Sequence, residues 1–66
     1  MLCVVNGQPM ELPEHTTVAD LIERLGLSGA ICAAEIDRVL VPRRERAERV
    51  LRPGERVEVV TLVGGG

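Results

Sequence analysis

One amphipathic segment, residues 17–26, constrains the fold of this chain more than any other stretch. Its apolar side chains recur at the spacing that places them on one face of a helix, at Val18, Leu21, Ile22 and Leu25. Thr17 is suited to cap the free amides at the start of this helix, and Gly26 is suited to end it. A helix this short needs a partner for its apolar face, and we expect that partner to be a β-sheet.

Segments with the composition of β-strands lie on both sides of the helix, at 1–5, 8–12, 30–36, 39–41 and 56–63. Asn6-Gly7 predicts a two-residue hairpin turn between the first two, and Pro9 favours an edge position for the second. The charged segment 43–49 fits one helical turn or an irregular loop equally well. This order of elements predicts an α+β fold: a mixed sheet of about five strands, with the last beside the first and the helix across one face.

Alternation along these strands divides their side chains between the two faces of the sheet. The face toward the helix is predicted to carry Cys3, Val5, Met10, Leu12, Cys32, Ala34, Ile36, Val57 and Val59. The opposite face has no covering layer, so its apolar side chains are predicted to form an exposed surface that binds a protein partner. The predicted surface consists of Leu2, Val4, Val60, Leu62 and Val63.

The composition limits the classes of function open to the chain. Its 66 residues predict a single domain, 1–66, and a net charge of −2 without any Trp, Tyr or Phe argues against nucleic-acid binding. The two cysteines are too few for a disulfide scaffold, and no residue pattern indicates a metal site. Because the sequence shows neither an apolar leader nor a membrane-length apolar run, we expect a soluble, cytoplasmic protein that is monomeric when free.

The last predicted strand runs directly into Gly64, Gly65 and Gly66. Glycine has no Cβ, so these residues predict a thin, flexible tail, 64–66, that can thread into a narrow site. The carboxylate of Gly66 is then the candidate reactive group. Judged on the tail alone, an inert end or a linker explains the same pattern.

Five short motifs follow one another along the chain: Val4-Val5-Asn6-Gly7, Thr17-Val18-Ala19-Asp20-Leu21-Ile22, Val41-Pro42-Arg43, Pro53-Gly54-Glu55 and Val63-Gly64-Gly65-Gly66. In their order and spacing the chain resembles, over its full length, the ubiquitin-like β-grasp proteins, and among them the sulfur carriers of the ThiS type in the ThiS/MoaD superfamily. The family usually has Asn where this chain has Asp37, and either residue suits a tight turn.

This resemblance implies a carrier protein that is not itself an enzyme and holds no cofactor. The Gly66 carboxylate would be adenylated with ATP by an activating enzyme of the ThiF type. Sulfur from a persulfide donor, supplied by a cysteine desulfurase, would then displace AMP and leave a thiocarboxylate. A thiazole synthase of the ThiG type would take up that sulfur for the thiazole of thiamin, with Gly64 and Gly65 threaded into each partner's site.

Three alternatives stay open at this stage. The carrier could deliver sulfur to another pathway, such as molybdopterin synthesis or tRNA thiolation, although molybdopterin-type carriers are typically longer and have aromatic residues near the tail. It could be a ubiquitin-like modifier whose Gly66 is joined to a target lysine. It could also be a small interaction module with an inert tail.

The remaining reactive side chains are predicted to have structural or solvent-exposed positions. Cys3 and Cys32 are interpreted as small buried apolar residues, and not as persulfide carriers or a disulfide pair, because the last strand is expected to separate them. His15 is predicted to be a solvated loop residue. The arginines between 43 and 52 alternate with glutamates, which indicates an ion-paired surface or a contact for an acidic partner.

Overall fold

The computed structural model describes residues 1–62. Within them lie five strands, one α-helix and one 3₁₀ helix. Their bounds are β1 Leu2–Val5, β2 Gln8–Glu11, α1 Val18–Arg24, β3 Cys32–Ile36, β4 Val39–Leu40, the 3₁₀ helix Arg43–Glu45 and β5 Arg56–Thr61. The predicted order of elements is confirmed, and segment 43–49 begins with a helical turn.

The five strands form one mixed sheet in the order β2-β1-β5-β3-β4. The central pair, β1 and β5, is parallel, with Val4 opposite Arg56 and Val5 opposite Val57. The other neighbouring pairs are antiparallel. The last strand therefore lies beside the first, as predicted, and β2, which contains Pro9, lies at one edge.

Helix α1 is defined by short-range signals at both ends. The side chain of Thr17 accepts a hydrogen bond from the amide of Asp20, and the Asp20 carboxylate accepts one from the amide of Thr17, both at 3.0 Å. Beyond the last turn, Gly26 has φ +77° and the amide of Leu27 donates to the carbonyl of Ile22 at 3.0 Å. These contacts define where the helix begins and ends.

The core lies between α1 and the sheet and is entirely aliphatic apart from one thiol. Its buried side chains are Cys3, Val5, Leu12, Val18, Leu21, Ile22, Ala34, Ile36, Val41, Leu51, Val57 and Val59. Met10, Leu25 and Cys32 are partly buried against this cluster. The predicted inward face of the strands is thus confirmed, and Val41 and Leu51 extend the core from the segments around the 3₁₀ helix.

Some strand boundaries differ from the prediction for local reasons. Strand β3 begins at Cys32 and not at residue 30, because the amide of Ala30 donates to the carbonyl of Leu27 and keeps that residue in the preceding turn. Strand β4 is only two residues long, although the amide of Val41 still donates to the carbonyl of Ala34 at 2.8 Å. Strand β5 ends at Thr61, and residue 63 of the predicted strand lies outside the described residues.

Candidate functional site

The predicted reactive residue, Gly66, and the predicted threading residues, Gly64 and Gly65, lie outside the described residues. The last described residues are Thr61 and Leu62, which we name the tail root because they lead into the predicted tail. Thr61 lies opposite Cys32 of β3, and the amide of Leu62 donates to the carbonyl of Ile31 at 3.0 Å. The tail root is therefore held from β3.

On its other side, the end of β5 runs beyond β1, whose last residue pairs with Val57. The side chain of Asn6 fills part of this space, since its Oδ1 accepts a hydrogen bond from the amide of Val59 at 2.8 Å. The amide of Asn6 also donates to the carbonyl of Val57 at 2.9 Å. One turn residue thus continues the hydrogen bonding of β1 along β5 toward the tail root, a role that sequence reasoning missed.

An exposed apolar surface lies beside the tail root on the sheet face opposite α1. Val60 lies opposite Ala33, and the hydrogen bond from Leu62 to Ile31 brings those two residues together. Val60, Leu62 and Ile31 are 58%, 68% and 70% exposed. We name Ile31, Ala33, Val60 and Leu62 the tail-side patch. Its apolar character and exposure fit a protein-binding surface.

The prediction that Leu2 and Val4 belong to the same surface as Val60 and Leu62 is wrong. Because β1 and β5 are parallel and Val4 lies opposite Arg56, Val60 is four residues, or about 13 Å, farther along the sheet. On β5, the exposed side chain of Arg56 lies level with Val4, and that of Glu58 lies between Arg56 and Val60. Val63 lies outside the described residues, and the partner-binding role of all these residues stays a prediction.

Ile31 and Ala33 take the place of Leu2 and Val4 in the patch, and sequence reasoning missed both. A usable signal was present, since Cys32, Ala34 and Ile36 were correctly placed toward the core and alternation then turns Ala33 outward. What was missing was the register that brings Ala33 opposite Val60.

On the helix side of the sheet, an open cleft of about 280 Å³ lies at the start of β3. Residues from α1, β3 and the 3₁₀ helix region line it, among them Ile22, Leu27, Cys32, Arg43 and Arg46. The guanidinium of Arg46 donates through Nη2 to the carbonyl oxygen of Cys32 at 2.6 Å, and its Nη1 lies 3.8 Å from the Cys32 Sγ. This contact ties the first residue of β3 to the segment behind it.

The two cysteines have different surroundings, and both are free thiols. Cys3 is fully buried, and its thiol donates to the carbonyl of Arg52 at 3.4 Å. Burial, followed by the nearby Glu55 carboxylate, raises the pKa of the Cys3 thiol. Cys32 is half-buried in the cleft, and β5 lies between the two cysteine-bearing strands as predicted.

Some arginines between residues 43 and 52 form ion pairs, and others are exposed to solvent. Arg49 forms an ion pair with Glu55 at 2.7 Å, and Glu55 also accepts a hydrogen bond from the amide of Arg52 at 2.7 Å. The side chain of Arg44 is 84% exposed, with only a 4.0 Å contact to Glu45. The cluster is thus partly ion-paired, as the first of the two interpretations predicts.

His15 is exposed in the loop before α1, as predicted. Across residues 1–62, no three His, Cys, Asp or Glu side chains are grouped as metal ligands. Neither helix in this range has the length and apolar character needed to span a membrane.

Comparisons with known proteins match the whole chain or nearly all of it. The ThiS family model matches residues 3–66. The sulfur carrier protein ThiS of Escherichia coli is 29% identical over 66 residues, covering 100% of both chains. A thiazole synthase of Paramagnetospirillum magneticum is 30% identical over 66 residues, and the chain spans only 20% of that relative's length.

The crystal structure of the thiamine biosynthesis protein ThiS from Geobacter metallireducens superposes with a TM-score of 0.83 at 26% identity, covering 100% of both chains. This match, with one helix across a five-strand mixed sheet, confirms the predicted ubiquitin-like β-grasp fold. Because the family model covers nearly the full length, the chain belongs to the ThiS family.

Proposed function

We propose that this protein is the sulfur carrier for formation of the thiamin thiazole, with the Gly66 carboxylate as the group that is activated and loaded. The observation that carries the proposal is the position of the tail root. It ends the central strand β5, is held by β3, and lies beside the apolar tail-side patch. The full-length match to E. coli ThiS, a sulfur carrier, supports the same assignment.

The proposed chemistry explains why the tail is activated before it is loaded. A carboxylate resists nucleophilic attack because it is anionic and its oxygen is a poor leaving group. In the proposed first step, a Gly66 carboxylate oxygen attacks the α-phosphate of ATP and pyrophosphate leaves, so that the carbonyl carbon carries AMP. A persulfide sulfur then attacks this carbon and AMP departs. Cleavage of the resulting sulfur–sulfur bond by a second thiol releases the thiocarboxylate and a disulfide.

In this proposal the chain is a co-substrate of other enzymes. ATP is used by a ThiF-like adenylating enzyme, and the persulfide originates from a cysteine desulfurase. The body of the protein supplies a docking surface, and Gly64 and Gly65 supply a stalk without side chains that fits a narrow active site. Each partner must reach the same terminal atom, so both are proposed to recognise the surface next to the tail root.

The tail-side patch is the part of the body best suited to that docking. Three of its four side chains are more than half exposed, and none carries a formal charge. Beside it on β5, Glu58 and Arg56 provide a polar border of the kind that surrounds apolar binding surfaces. The patch and the tail begin on the same strand, so a partner that covers the patch is placed over the start of the tail.

The thiazole synthase relative supports the choice of sulfur acceptor. That protein contains a stretch similar to the whole of this chain within a much longer sequence. A carrier-like segment and a thiazole synthase in one polypeptide fit a direct transfer of sulfur between them. We therefore propose a ThiG-like thiazole synthase as the acceptor.

The test is the intact mass of the purified chain after incubation with its host's adenylating enzyme, ATP and a persulfide donor. The expected product is heavier by the exchange of one oxygen for sulfur, and a variant lacking Gly66 should not change. Adding the host's thiazole synthase and its other substrates should restore the original mass. If the thiocarboxylate forms but thiazole synthase does not consume it, the carrier role is retained. The sulfur acceptor would then belong to tRNA thiolation or molybdopterin synthesis.

Two other outcomes would replace the proposal. Recovery of Gly66 in an isopeptide bond to lysines of other proteins would indicate a modifier. Absence of both adenylate and thiocarboxylate, with the fold intact, would indicate an interaction module with an inert tail.

A further inference from the structure

On the side away from β5, strand β3 is paired with another strand along only part of its length. Strand β4 pairs with it only at Glu35 and Ile36, and the amide of Val41 adds one bond to the carbonyl of Ala34. Carbonyls two residues apart on a strand point to the same side. The carbonyl of Cys32 therefore points, like that of Ala34, toward the side that β4 is too short to cover.

Arg46 supplies the partner that this carbonyl lacks. Its Nη2 donates to the Cys32 oxygen at 2.6 Å, a short hydrogen bond from a charged donor. The backbone of Arg46 is itself anchored, because its carbonyl accepts the amide of Ala19 at 3.0 Å and its amide donates to Arg43 at 3.3 Å. Arg46 thus connects the first turn of α1, through its backbone, to the uncovered edge of β3, through its side chain.

The opposite edge of the same stretch of β3 holds the tail root. Cys32 lies opposite Thr61, and the neighbouring carbonyl of Ile31 accepts the amide of Leu62. On its other side, β5 has by this point passed the end of β1. Fraying of β3 at Cys32 would therefore release Thr61 and Leu62 together.

We propose that Arg46 is a positioning residue for the tail root: by donating to the Cys32 carbonyl it fixes the start of β3, and through β3 it holds Thr61 and Leu62 in place. The structural part of this inference stands on the contacts above. Its consequence for sulfur loading rests on the proposed function.

The contact is expected to control local order more than global stability. Replacing Arg46 with Met leaves the Cys32 carbonyl without its donor, which is destabilising. The same change removes Nε of Arg46, which is buried without a hydrogen-bond partner among residues 1–62, and keeps most of the aliphatic packing. The lost hydrogen bond lowers the free energy of unfolding, whereas removal of the buried Nε raises it. Only the lost hydrogen bond acts on the end of β3.

The test compares Arg46→Met with Arg46→Lys and with Arg44→Met as the matched control, since Arg44 is on the adjacent 3₁₀ helix and its side chain is 84% exposed. Hydrogen exchange of the Leu62 amide should accelerate about tenfold in Arg46→Met, by the loss of one charge-assisted bond. Exchange of core amides should stay unchanged. Arg46→Lys, which keeps a charged donor, should recover part of the protection, and Arg44→Met should match the unsubstituted protein.

Equal exchange at Leu62 in Arg46→Met and Arg44→Met would overturn the proposal. If Arg46→Met does not fold, NMR of the unsubstituted protein still tests whether Arg46 holds the Cys32 carbonyl. Slow rotation of the Arg46 guanidinium, with a scalar coupling across the bond to the Cys32 carbonyl, is the expected result. Free rotation would contradict it.

The functional consequence is read from adenylation kinetics with the host's activating enzyme. If the tail root is less ordered, the protein binds the activating enzyme more weakly, and by the same factor in the ground state and in the transition state. Arg46→Met should therefore raise KM about tenfold and leave kcat unchanged. An unchanged KM would show that the Arg46 contact does not assist loading. If the unsubstituted protein is not adenylated, the proposed function fails, while the exchange of Leu62 still tests the contact.

Discussion

The side chain of Asn6 accepts a hydrogen bond from the amide of Val59 at 2.8 Å, which links the first turn of the chain to its last strand across 53 positions of sequence. Asn6 also has φ +50°, the left-handed conformation required by the hairpin turn it shares with Gly7. One side chain therefore serves both a local turn and a long-range contact. The second role holds β5 in place where β1 no longer accompanies it.

The two roles of Asn6 can be separated by substitution. Asn6→Gly keeps the positive φ and removes the acceptor, so the free energy of unfolding should fall by about 1–2 kcal/mol. Asn6→Ala should lose about 1 kcal/mol more, because a Cβ is strained at this φ. Asn6→Asp retains both an acceptor and tolerance of the left-handed region, and should stay within about 0.5 kcal/mol of the unsubstituted protein. Urea titrations measure all three, and an Asn6→Gly protein of undiminished stability would contradict the role of the hydrogen bond.

Arg38 occupies a conformation that suits it poorly. It has φ +69° in the turn between β3 and β4, next to Asp37 at φ +49°, whose carboxylate accepts the amide of Arg56 at 3.1 Å. Arg38→Gly should relieve about 1–2 kcal/mol of left-handed strain. It should also lose about 0.4–1 kcal/mol, because glycine makes the unfolded chain more flexible.

The net expectation for Arg38→Gly is a modest stabilisation, of about 0.5–1 kcal/mol. Thermal unfolding followed by circular dichroism provides the measurement. Arg44→Gly is the control, since Arg44 lies in the 3₁₀ helix and is not among the residues with positive φ. The control substitution should lower the melting temperature, and a similar loss in Arg38→Gly would refute the strain argument.

The elements whose signals are local were predictable from the sequence. The Thr17 cap, the glycine at position 26 and the Asn6-Gly7 turn each act within a few residues, and each formed as expected. Alternation also placed the core face of the strands correctly, because a strand with one buried face has little freedom of register.

Features that depend on the alignment of distant strands were not predictable in this way. The offset between β1 and β5 separates Val4 from Val60, but the sequence around these two residues does not indicate that offset. The contacts of Asn6 with Val59 and of Arg46 with Cys32 likewise require knowing which strand ends where. The assignment of the candidate site to the end of β5 therefore stays a prediction, while two residues of its predicted surface, Leu2 and Val4, lie on a strand that does not adjoin the tail root.

The burial of Cys3 predicts a loss of stability in alkaline solution. Its pKa is raised from an ordinary value of 9.0, first by burial and then by the Glu55 carboxylate. The folded protein therefore keeps the thiol proton at a pH where the unfolded chain has lost it. The contribution of this thiol to stability is complete below pH 9.0 and is lost as the pH rises through the raised pKa of the folded state.

Free energies of unfolding measured above and below pH 9.0 check this expectation. The chain contains neither Tyr nor Lys, so few other side chains titrate in the same range. Cys3→Ala is the control: it should be less stable throughout because of the cavity, and its stability should decline less above pH 9.0. Parallel pH profiles for the two proteins would assign the decline to another group.

The tail-side patch predicts that two equally exposed residues on the same sheet face differ in their effect on partner binding. Val60 is 58% exposed and Leu2 is 52% exposed, but only Val60 lies beside the tail root. Val60→Arg should weaken binding to the activating enzyme at least about tenfold, because it puts a charge into an apolar interface. Leu2→Arg should change the affinity less than about twofold, as expected for a position outside the contact.

Both substitutions have a nearby carboxylate on the same face, Glu58 for Val60 and Glu11 for Leu2, so each new arginine can remain hydrated and paired without disturbing the fold. Calorimetric titration of the enzyme with each variant gives the affinities, and matching melting temperatures establish that the body is intact. Weaker binding by Leu2→Arg than by Val60→Arg would place the docking surface at the opposite end of the sheet. The partner would then have to reach Gly66 without covering the start of the tail.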